Sequence, residues 1–464
     1  MAMGKRATER QEELFIAHDR LPKSVGHVFY VQLNKLLAEA DFDPWVEALC
    51  EPHYAKRKGR PSIPPGVYFR MLLVGYFEGL GSQRGIAWRC SDSLSLRTFL
   101  GLSLTDETPD HSSLSYIRNR LPLSVHEQVF LKVLAIAQEK KLLKGKTVAV
   151  DSTTLEANAA MKSIVRRDTN EDWNEYLTRL MQEEGLVAAG EQPNAEELRR
   201  FDKSRENKAV SNQEWESPTD PDSRITRMKD GTTHLAYKAE HVIDLESGIL
   251  LAAEIHRATD ADTATLEGSV VQAQMNQEAA GSQQEIKEVI ADKGYHAAAT
   301  LTSFAEQSTI RTYIPEPRRK RKSKGKGKRK PPAQRSAVVR NRRRTRSNRG
   351  RRLQRLRSER VERSFAHVCE TGGARRTWLA GIENVRKRYL ISAAAHNLGC
   401  LMRTLFKMGT PRGLQQFPKD LERLLSSLDL AWIIVGRAFS ASLRFPRAKR
   451  WKNDHRVSYA ACAA

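Results

Sequence analysis

Cysteine is scarce in this sequence, with five residues in 464, and none of them lies in a CxxC pair. Structural zinc sites need paired Cys or His ligands, and disulfide-stabilised domains need many cysteines in a short chain. No histidine pair has zinc spacing either. These absences exclude a zinc-finger protein and a small disulfide-framed domain, and they predict that the cysteines are reduced and structural.

Long apolar runs are also missing. The most apolar stretch, Val67 to Leu80, is interrupted by Arg70 and Glu78, whereas a bilayer span needs roughly 18 uninterrupted apolar residues. The basic first residues are not followed by an apolar segment, so no secretory signal is predicted. We therefore expect a soluble cytoplasmic protein of two or three domains without membrane contact.

Positive charge, by contrast, is abundant and concentrated. The net charge is +23, and residues 318–352 contain 19 Lys or Arg and no acid, which leaves +4 for the rest of the chain. This segment is too charged and too rich in Gly, Ser and Pro to bury a core, so we predict a flexible basic arm. A solvated linker is one interpretation. Phosphate contact is the other, because a polyanion relieves the repulsion between the charges and releases its counterions.

Residues 1–144 carry apolar positions three or four apart, the period of an amphipathic helix. The predicted helices are Val28–Leu37, Pro65–Leu80, Ser82–Cys90, Leu94–Leu100 and a long segment from Ser113 to Lys140. This pattern predicts an all-helical N-terminal domain. Cap residues precede a short segment whose Arg118 and Arg120 lie off its apolar face, as in a DNA recognition helix, although a purely structural helix looks the same. The basic turn at 56–61 is equally open between a groove contact and a solvated turn.

From Lys146 onward the pattern changes to short β-type runs separated by helices. We predict strands at 147–151, 234–244, 249–255, 287–292 and 312–314, and helices at 173–181, 262–276, 353–368 and 382–406. The first and fourth of these strands each end on a carboxylate, Asp151 and Asp292. Two buried strands that end this way bring two acids to one sheet edge, where Mg²⁺ can bind them.

A third acid is harder to choose. Glu359 and Glu362 both lie off the apolar stripe of the helix predicted at 353–368, so periodicity leaves both open. Asp262 and Lys293 also fall near the predicted site, the first as a helix cap and the second as a phosphate contact or an ordinary surface lysine.

Several segments resemble, in order, the catalytic core of bacterial insertion-sequence transposases with an Asp-Asp-Glu active site: KTVAVDSTTLEANAA, HLAYKAEHVIDLESGILLAAEI, DADTATL, VIADKGY and VERSF. The stretch from GRPSIPPGVYFRMLL through TPDHSSLSYIRNRL is similar to the helical domain that precedes this core. Several moderately specific motifs in the right order make a specific pattern. The resemblance implies an α+β fold with a ribonuclease-H-like mixed sheet of five strands and flanking helices.

The resemblance also implies the site. Asp151, Asp292 and Glu362 correspond to its catalytic metal ligands, with Glu359 as the runner-up, for two Mg²⁺ ions that Mn²⁺ can replace. Relatives often keep a tyrosine, an arginine and a basic residue around the glutamate, at intervals that fall here on Arg355, Ser358 and Cys369. Arg355 is a basic residue, and Arg363 or a nearby arginine is a candidate substitute for the arginine that is missing at Ser358.

The predicted function is that of an insertion-sequence transposase, a nucleoid-associated bacterial protein that binds the terminal inverted repeats of its element as a dimer or larger complex. It would cut DNA strands and join them to target DNA. The predicted divisions are a DNA-binding domain at 1–144, a catalytic domain at 145–405 with insertions at about 160–233 and 318–352, and a tail at 406–464. The alternatives are a nuclease of the same fold that cuts without joining, and a non-catalytic DNA-binding relic.

Overall fold

The computed structural model of the chain describes residues 26–55, 62–188, 190–206, 210–228, 231–317 and 331–411. The predicted basic turn at 56–61, part of the basic arm at 318–330, and nearly all of the predicted tail, 412–464, lie outside the described residues.

The described part of residues 26–144 contains helices and no strand. These helices are α1 (Val28–Glu39), α2 (Phe42–Cys50), α3 (Pro65–Glu78), α4 (Gln83–Asp92), α5 (Leu94–Phe99), α6 (His111–Arg120) and α7 (Leu123–Glu139). The single helix predicted from Ser113 to Lys140 is wrong, because Leu121 and Pro122 separate α6 from α7. Proline disfavours a helical conformation in the residue before it, and it caps α7 here. The sequence pattern also missed α2, in which Pro44 lies in the first turn.

The rest of the described chain mixes strands and helices. The strands are β1 (Thr147–Glu156), β2 (Val165–Arg166), β3 (Trp215–Glu216), β4 (Arg224–Arg227), β5 (Thr233–Asp244), β6 (Leu250–Arg257), β7 (Glu288–Ile290) and β8 (Arg311–Tyr313). The helices are α8 (Trp173–Glu183), α9 (Ala195–Ser204), α10 (Asp262–Ala279), α11 (Ala298–Gln307), α12 (Pro332–Arg346), α13 (Asn348–Phe365) and α14 (Ile382–Phe406). A π-helical turn, Ala366–Thr371, follows α13 directly.

Six of the strands form one mixed sheet in the order β4-β5-β1-β7-β8, with β6 also paired to β5. β5 runs antiparallel to β1, β4 and β6, whereas β7 is parallel to both β1 and β8. β4 and β6 pair with successive lengths of β5, so the predicted five strands are joined by a short sixth one that the sequence pattern missed. A mixed sheet with flanking helices is confirmed.

Both faces of the sheet are covered by helices, so β5 is buried over nearly its whole length and β1 over its first half. On one face, His241 of β5 is completely buried, hydrogen-bonds to Ser364 of α13 at 2.9 Å and to Tyr389 of α14 at 2.7 Å, and stacks on Phe365. On the other face, Thr265 of α10 donates to Glu240 of β5 at 2.7 Å. These contacts fix α13 and α10 on opposite sides of the strands that carry the predicted acids.

The insertion between β1 and β5 has its own small core. It contains α8, α9 and the two-stranded β2–β3 sheet. Leu177, Met181, Leu198 and Phe201 are buried together where α8 and α9 meet. The insertion predicted at about 160–233 is thus ordered in its described residues, although only α8 was predicted within it.

The structure of the basic segment differs from the prediction of a flexible arm. Residues 331–352, predicted to belong to a flexible arm, form α12 and the start of α13 instead. Asn341 is fully buried, and its side chain accepts from the backbone N–H of Ile314 at 3.1 Å and donates to the carbonyl of Ile314 at 2.7 Å. Arg344 donates to the carbonyl of Thr312 at 3.0 Å. Composition alone predicted disorder because these anchoring contacts come from another part of the chain.

We expect Asn341→Ala to lower the free energy of unfolding by about 2–4 kcal/mol, because it removes two hydrogen bonds and leaves a buried N–H and a buried C=O of Ile314 without partners. Urea denaturation followed by circular dichroism measures this change. The matched control is Asn348→Ala, since Asn348 is exposed in the same pair of helices and should change stability by less than about 0.5 kcal/mol. Equal losses in the two variants would contradict an anchoring role for Asn341.

The helical first part and the sheet share α14 as a common layer. α14 packs against α1, α3 and α7 as well as against β6. Asn397 of this helix pairs with both backbone groups of Leu250 in β6, at 2.8 and 2.9 Å. Within the described ranges, no helix is long and apolar enough to cross a membrane.

Candidate active site

The two predicted aspartates meet beside the parallel strands β1 and β7. Ala149 of β1 is in register with Ile290 of β7, and continuing that register by two residues sets Asp151 beside Asp292. The prediction that the first strand ends at Asp151 is wrong, since β1 continues to Glu156. The acids come together because of the parallel register, although only β7 ends near its aspartate.

Asp151 is half-buried, and its surroundings act on its ionisation in opposite directions. Burial raises the pKa of its carboxyl group, and the negative charge of Asp292 adds to the rise. The guanidinium of Arg357 opposes both, because its Nη1 lies 2.6 Å from Oδ2 of Asp151. The backbone N–H of Ser152 also donates to Oδ1 of Asp151 at 2.9 Å. Asp151 therefore lies in a setting where a nearby cation stabilises its ionised form.

Asp292 is held by the tight turn that follows β7. Its side chain accepts a hydrogen bond of 2.6 Å from the backbone N–H of Gly294 and begins the 3₁₀ turn Lys293–Tyr295. A Cβ atom on Gly294 would lie 2.9 Å from Oδ1 of Asp292 and 3.0 Å from Oδ2 of Asp262. A side chain at position 294 would therefore require one of these two carboxylates to shift. Lys293 is exposed beside them.

Asp262, the first residue of α10, belongs to a polar network on the other face of β1. Its carboxylate accepts from the hydroxyl of Ser152 at 3.0 Å and pairs with the ammonium of Lys238 at 3.3 Å. Lys238 is itself buried and also donates to the hydroxyl of Thr265. The sequence pattern singled out Asp262 as a possible cap, but Ser152 and Lys238 were missed. Lys238 lies on the face of β5 opposite the alternating apolar residues, so nothing in the sequence pointed to its burial.

The two glutamates of α13 differ in their partners. Glu359 forms an ion pair of 2.9 Å with Arg363. Arg360 lines a surface cavity with Lys144 and Ser247, so its flank of the helix faces the start of β1. Glu362 is rotated by roughly 200° from Arg360 and by roughly 60° from Glu359, so helical phase does not separate the two glutamates. The carboxylate of Glu362 is exposed and makes no hydrogen bond or ion pair with the described residues.

The three predicted ligands are therefore not all brought together. Asp151 and Asp292 are neighbours, and Glu362 lies on the adjoining helix without touching either. Within the described ranges, no group of three or more His, Cys, Asp or Glu side chains is arranged to hold a metal ion.

Arg357 was missed by the sequence reasoning, although a signal existed. It lies four residues after Leu353 and four before Val361, in the middle of the apolar stripe of α13, where both neighbours are buried. A charged side chain in such a stripe needs a buried partner, and here that partner is Asp151. Gln354, one turn earlier, donates to the carbonyls of Ala291 and Tyr313 at 3.1 and 2.6 Å. Together these side chains fix α13 across β1, β7 and β8.

The predicted DNA contacts fall into two groups. Arg120 and Arg355 are exposed, and Arg363 is half-exposed in its pair with Glu359. Arg118 points inward instead, over the ring of Trp378 with 5.7 Å between guanidinium carbon and ring centroid. Arg118 lines an interior cavity with Tyr68, Lys387 and Arg388, so it is directed away from the exposed face of α6.

The exposed face of α6 instead presents Tyr116, which is 71% exposed, with Asn119 and Arg120. Tyr116 lies off the apolar face of α6, but only the two arginines of that helix were singled out from the sequence.

Comparison with known families identifies two segments. Residues 16–120 match the family model described as Transposase domain (DUF772), and residues 188–398 match the model described as Transposase DDE domain. The second range contains Asp292 and Glu362, and Asp151 precedes it. No curated protein and no solved structure matches the chain. The two matches lie in the order predicted from the motifs, and the chain belongs to the insertion-sequence transposases that carry a DDE domain.

Proposed function

We propose that this transposase binds the terminal inverted repeats of its own element, cuts the DNA strand at each end and joins the released 3′ ends to target DNA. The observation that carries the proposal is the pairing of Asp151 with Asp292 across parallel strands, beside a helix that carries Glu362. The strand order, with antiparallel strands on one side of β1 and parallel strands on the other, supports a ribonuclease-H-like core.

Asp151, Asp292 and Glu362 are the residues proposed to hold divalent metal ions, two Mg²⁺ with Mn²⁺ as a substitute. The donor chemistry fits, because Mg²⁺ takes hard oxygen ligands and usually completes its shell with water and phosphate oxygens around one or two carboxylates. Two such ions, when bound, lower the pKa of the attacking water and stabilise the charge on the leaving oxygen. Glu362 is exposed, so its approach needs a change of side-chain rotamer or a small shift of α13.

The chain's own residues supply positioning and charge. Arg357 neutralises Asp151 and ties α13 to β1. Asp262, held by Ser152 and Lys238, lies close to Gly294 in the turn that carries Asp292. In the first step a water oxygen attacks the phosphodiester and the bond from phosphorus to the 3′ oxygen breaks, which frees a 3′-hydroxyl. In the second step that hydroxyl attacks a target phosphodiester and displaces its 3′ oxygen.

The helical first region and the region with the catalytic acids have different roles in this proposal. The exposed face of α6 carries Tyr116, Asn119 and Arg120. These side chains can hydrogen-bond to base edges or stack on base faces, as reading of a terminal repeat requires. Both ends of an element must be held while they are joined, so we propose a dimer or larger complex on the paired ends.

A strand-transfer assay tests the proposal. The full chain with Mg²⁺ or Mn²⁺ should release 3′-hydroxyl ends from DNA that carries the element's terminal repeats, and it should join pre-cut ends to a plasmid. DNA with scrambled ends is the control and should be neither cut nor joined. Steady cleavage without any joined product would contradict the proposal in favour of a nuclease, and binding without cleavage would favour a non-catalytic relic.

A further inference from the structure

The arginines of α12 and α13 separate into two sets with different surroundings. Residues 331–358 contain eleven arginines and no acid. Three of them pair with acids of the catalytic region: Arg342 with Glu316, Arg349 with Glu288, and Arg357 with Asp151. Arg344 binds the backbone of Thr312. These four side chains attach the two helices to the sheet.

The other seven arginines are all exposed, and none forms an ion pair with a described residue. We call this set the arginine ridge: Arg335, Arg340, Arg343, Arg346, Arg351, Arg352 and Arg355. Like charges this close together repel one another, and no acid on the same two helices before Glu359 relieves that repulsion. A surface of this kind is electrostatically complementary to a polyanion. Arginine also binds phosphate oxygens in a bidentate manner, which lysine cannot do.

The ridge has a fixed shape because the joint between its helices is tight. Ser347 alone separates α12 from α13, and its hydroxyl donates to the carbonyl of Arg344 and accepts from the N–H of Gly350 at 3.0 Å. Gly350 is buried against the backbone carbonyls of Arg344 and Thr345, where a side chain would collide with both. The angle between the helices is thereby set, and the exposed arginines keep a defined spacing.

The ridge also leads to the candidate active site. Arg355 lies two residues before Arg357, whose guanidinium contacts Asp151, and one residue after Gln354, which binds the carbonyl of Ala291 beside Asp292. The last arginine of the ridge, Arg355, thus lies in the same helical turn as the side chains that contact Asp151 and the strand end beside Asp292, while it is itself exposed.

We propose that the arginine ridge is the binding surface for target DNA, an inference that rests on the proposed function. Target DNA has no fixed sequence, so its contacts should be to phosphates, and a set of exposed arginines suits that task. The terminal repeats do need sequence reading, which the exposed face of α6 offers. The ridge therefore acts in joining, after the ends have been recognised and cut.

The test compares the full-length wild type with three double variants. R340E/R343E reverses two charges of the ridge on α12. R199E/R200E reverses two exposed arginines on α9 and is the matched control, because it changes the net charge equally. R340K/R343K keeps the ridge charge and checks that any effect is not a folding defect. Binding of a random-sequence duplex is measured by fluorescence anisotropy across a salt series, and cleavage of ends and joining of pre-cut ends are measured separately.

We expect R340E/R343E to reduce the slope of log affinity against log salt concentration by about two, one for each lost phosphate contact. Joining of pre-cut ends should fall about tenfold or more at physiological salt, while cleavage of uncut ends stays within about twofold. The control and the lysine variant should keep wild-type slopes. A slope for R340E/R343E equal to that of the control would overturn the proposal, as would cleavage that falls in step with joining. Failure of the proposed function is distinguishable, because it would appear as a wild type that neither cuts nor joins.

Discussion

Replacing either aspartate with asparagine should abolish DNA cleavage while leaving DNA binding intact. We expect Asp151→Asn and Asp292→Asn each to lower the rate of end cleavage by about a thousandfold or more, which corresponds to roughly 4 kcal/mol of transition-state stabilisation. The reason is that an amide keeps the shape of the side chain but loses the charge that holds a hard divalent cation. Single-turnover cleavage of labelled ends measures the effect, with gel-shift binding on the same DNA.

The matched control is Asp168→Asn, an exposed aspartate in the insertion that pairs with Arg166. It should cleave at a rate within about twofold of the wild type. The two catalytic variants should also differ in stability. Asp151→Asn removes the ion-pair partner of Arg357 and should lower the melting temperature, whereas Asp292→Asn removes a like charge beside Asp151 and should not. Cleavage at the wild-type rate in either variant would refute its assignment.

The second large effect concerns the choice between two glutamates on one helix. Glu362→Gln should reduce cleavage about a hundredfold or more, because Glu362 is the glutamate proposed to complete the metal site. Glu359→Gln serves as its control, since Glu359 is paired with Arg363. We expect that variant to cleave within about twofold of the wild type.

Measuring metal binding tests the choice between Glu359 and Glu362 without relying on catalytic turnover. Titration with Mn²⁺, followed by its electron paramagnetic resonance signal, should show weaker binding in Glu362→Gln than in Glu359→Gln. The reverse order in both measurements would make Glu359 the third acid. Normal activity in both variants would exclude either glutamate, and Asp262, close to Asp292 across Gly294, would be the next acid to replace.

The sequence predicted the elements that carry the acids better than it predicted their surroundings. Short apolar runs located β1, β6 and β7, and the alternation of apolar residues along 235–243 located β5. The neighbouring positions of Asp151 and Asp292 were also predicted, but for an incomplete reason. The strand-end argument applies to β7 alone, and the parallel register, which no single strand reveals, brings Asp151 into place.

The errors share a physical cause, which is contact between distant parts of the chain. Residues 331–352 looked disordered by composition, yet Asn341 and Arg344 find partners on the far side of β8. Arg118 looked exposed by helical phase, yet the ring of Trp378 from a distant segment covers it. The choice of Glu362 over Glu359 rests on family resemblance, because the two residues lie only about 60° apart around α13.

The contacts of α12 with β8 also affect the tendency of the protein to aggregate. Along a strand, the backbone groups of alternate residues point to opposite sides, so those of Thr312 and Ile314 face away from β7, at the open border of the sheet. Asn341 and Arg344 occupy these groups, and they do so with side chains rather than with another strand. Uncovered, such a border invites pairing with strands of other molecules and aggregation. A chain shortened before residue 331 would therefore lose this cover, and the arginine-rich helix protects the solubility of the sheet beside which it works.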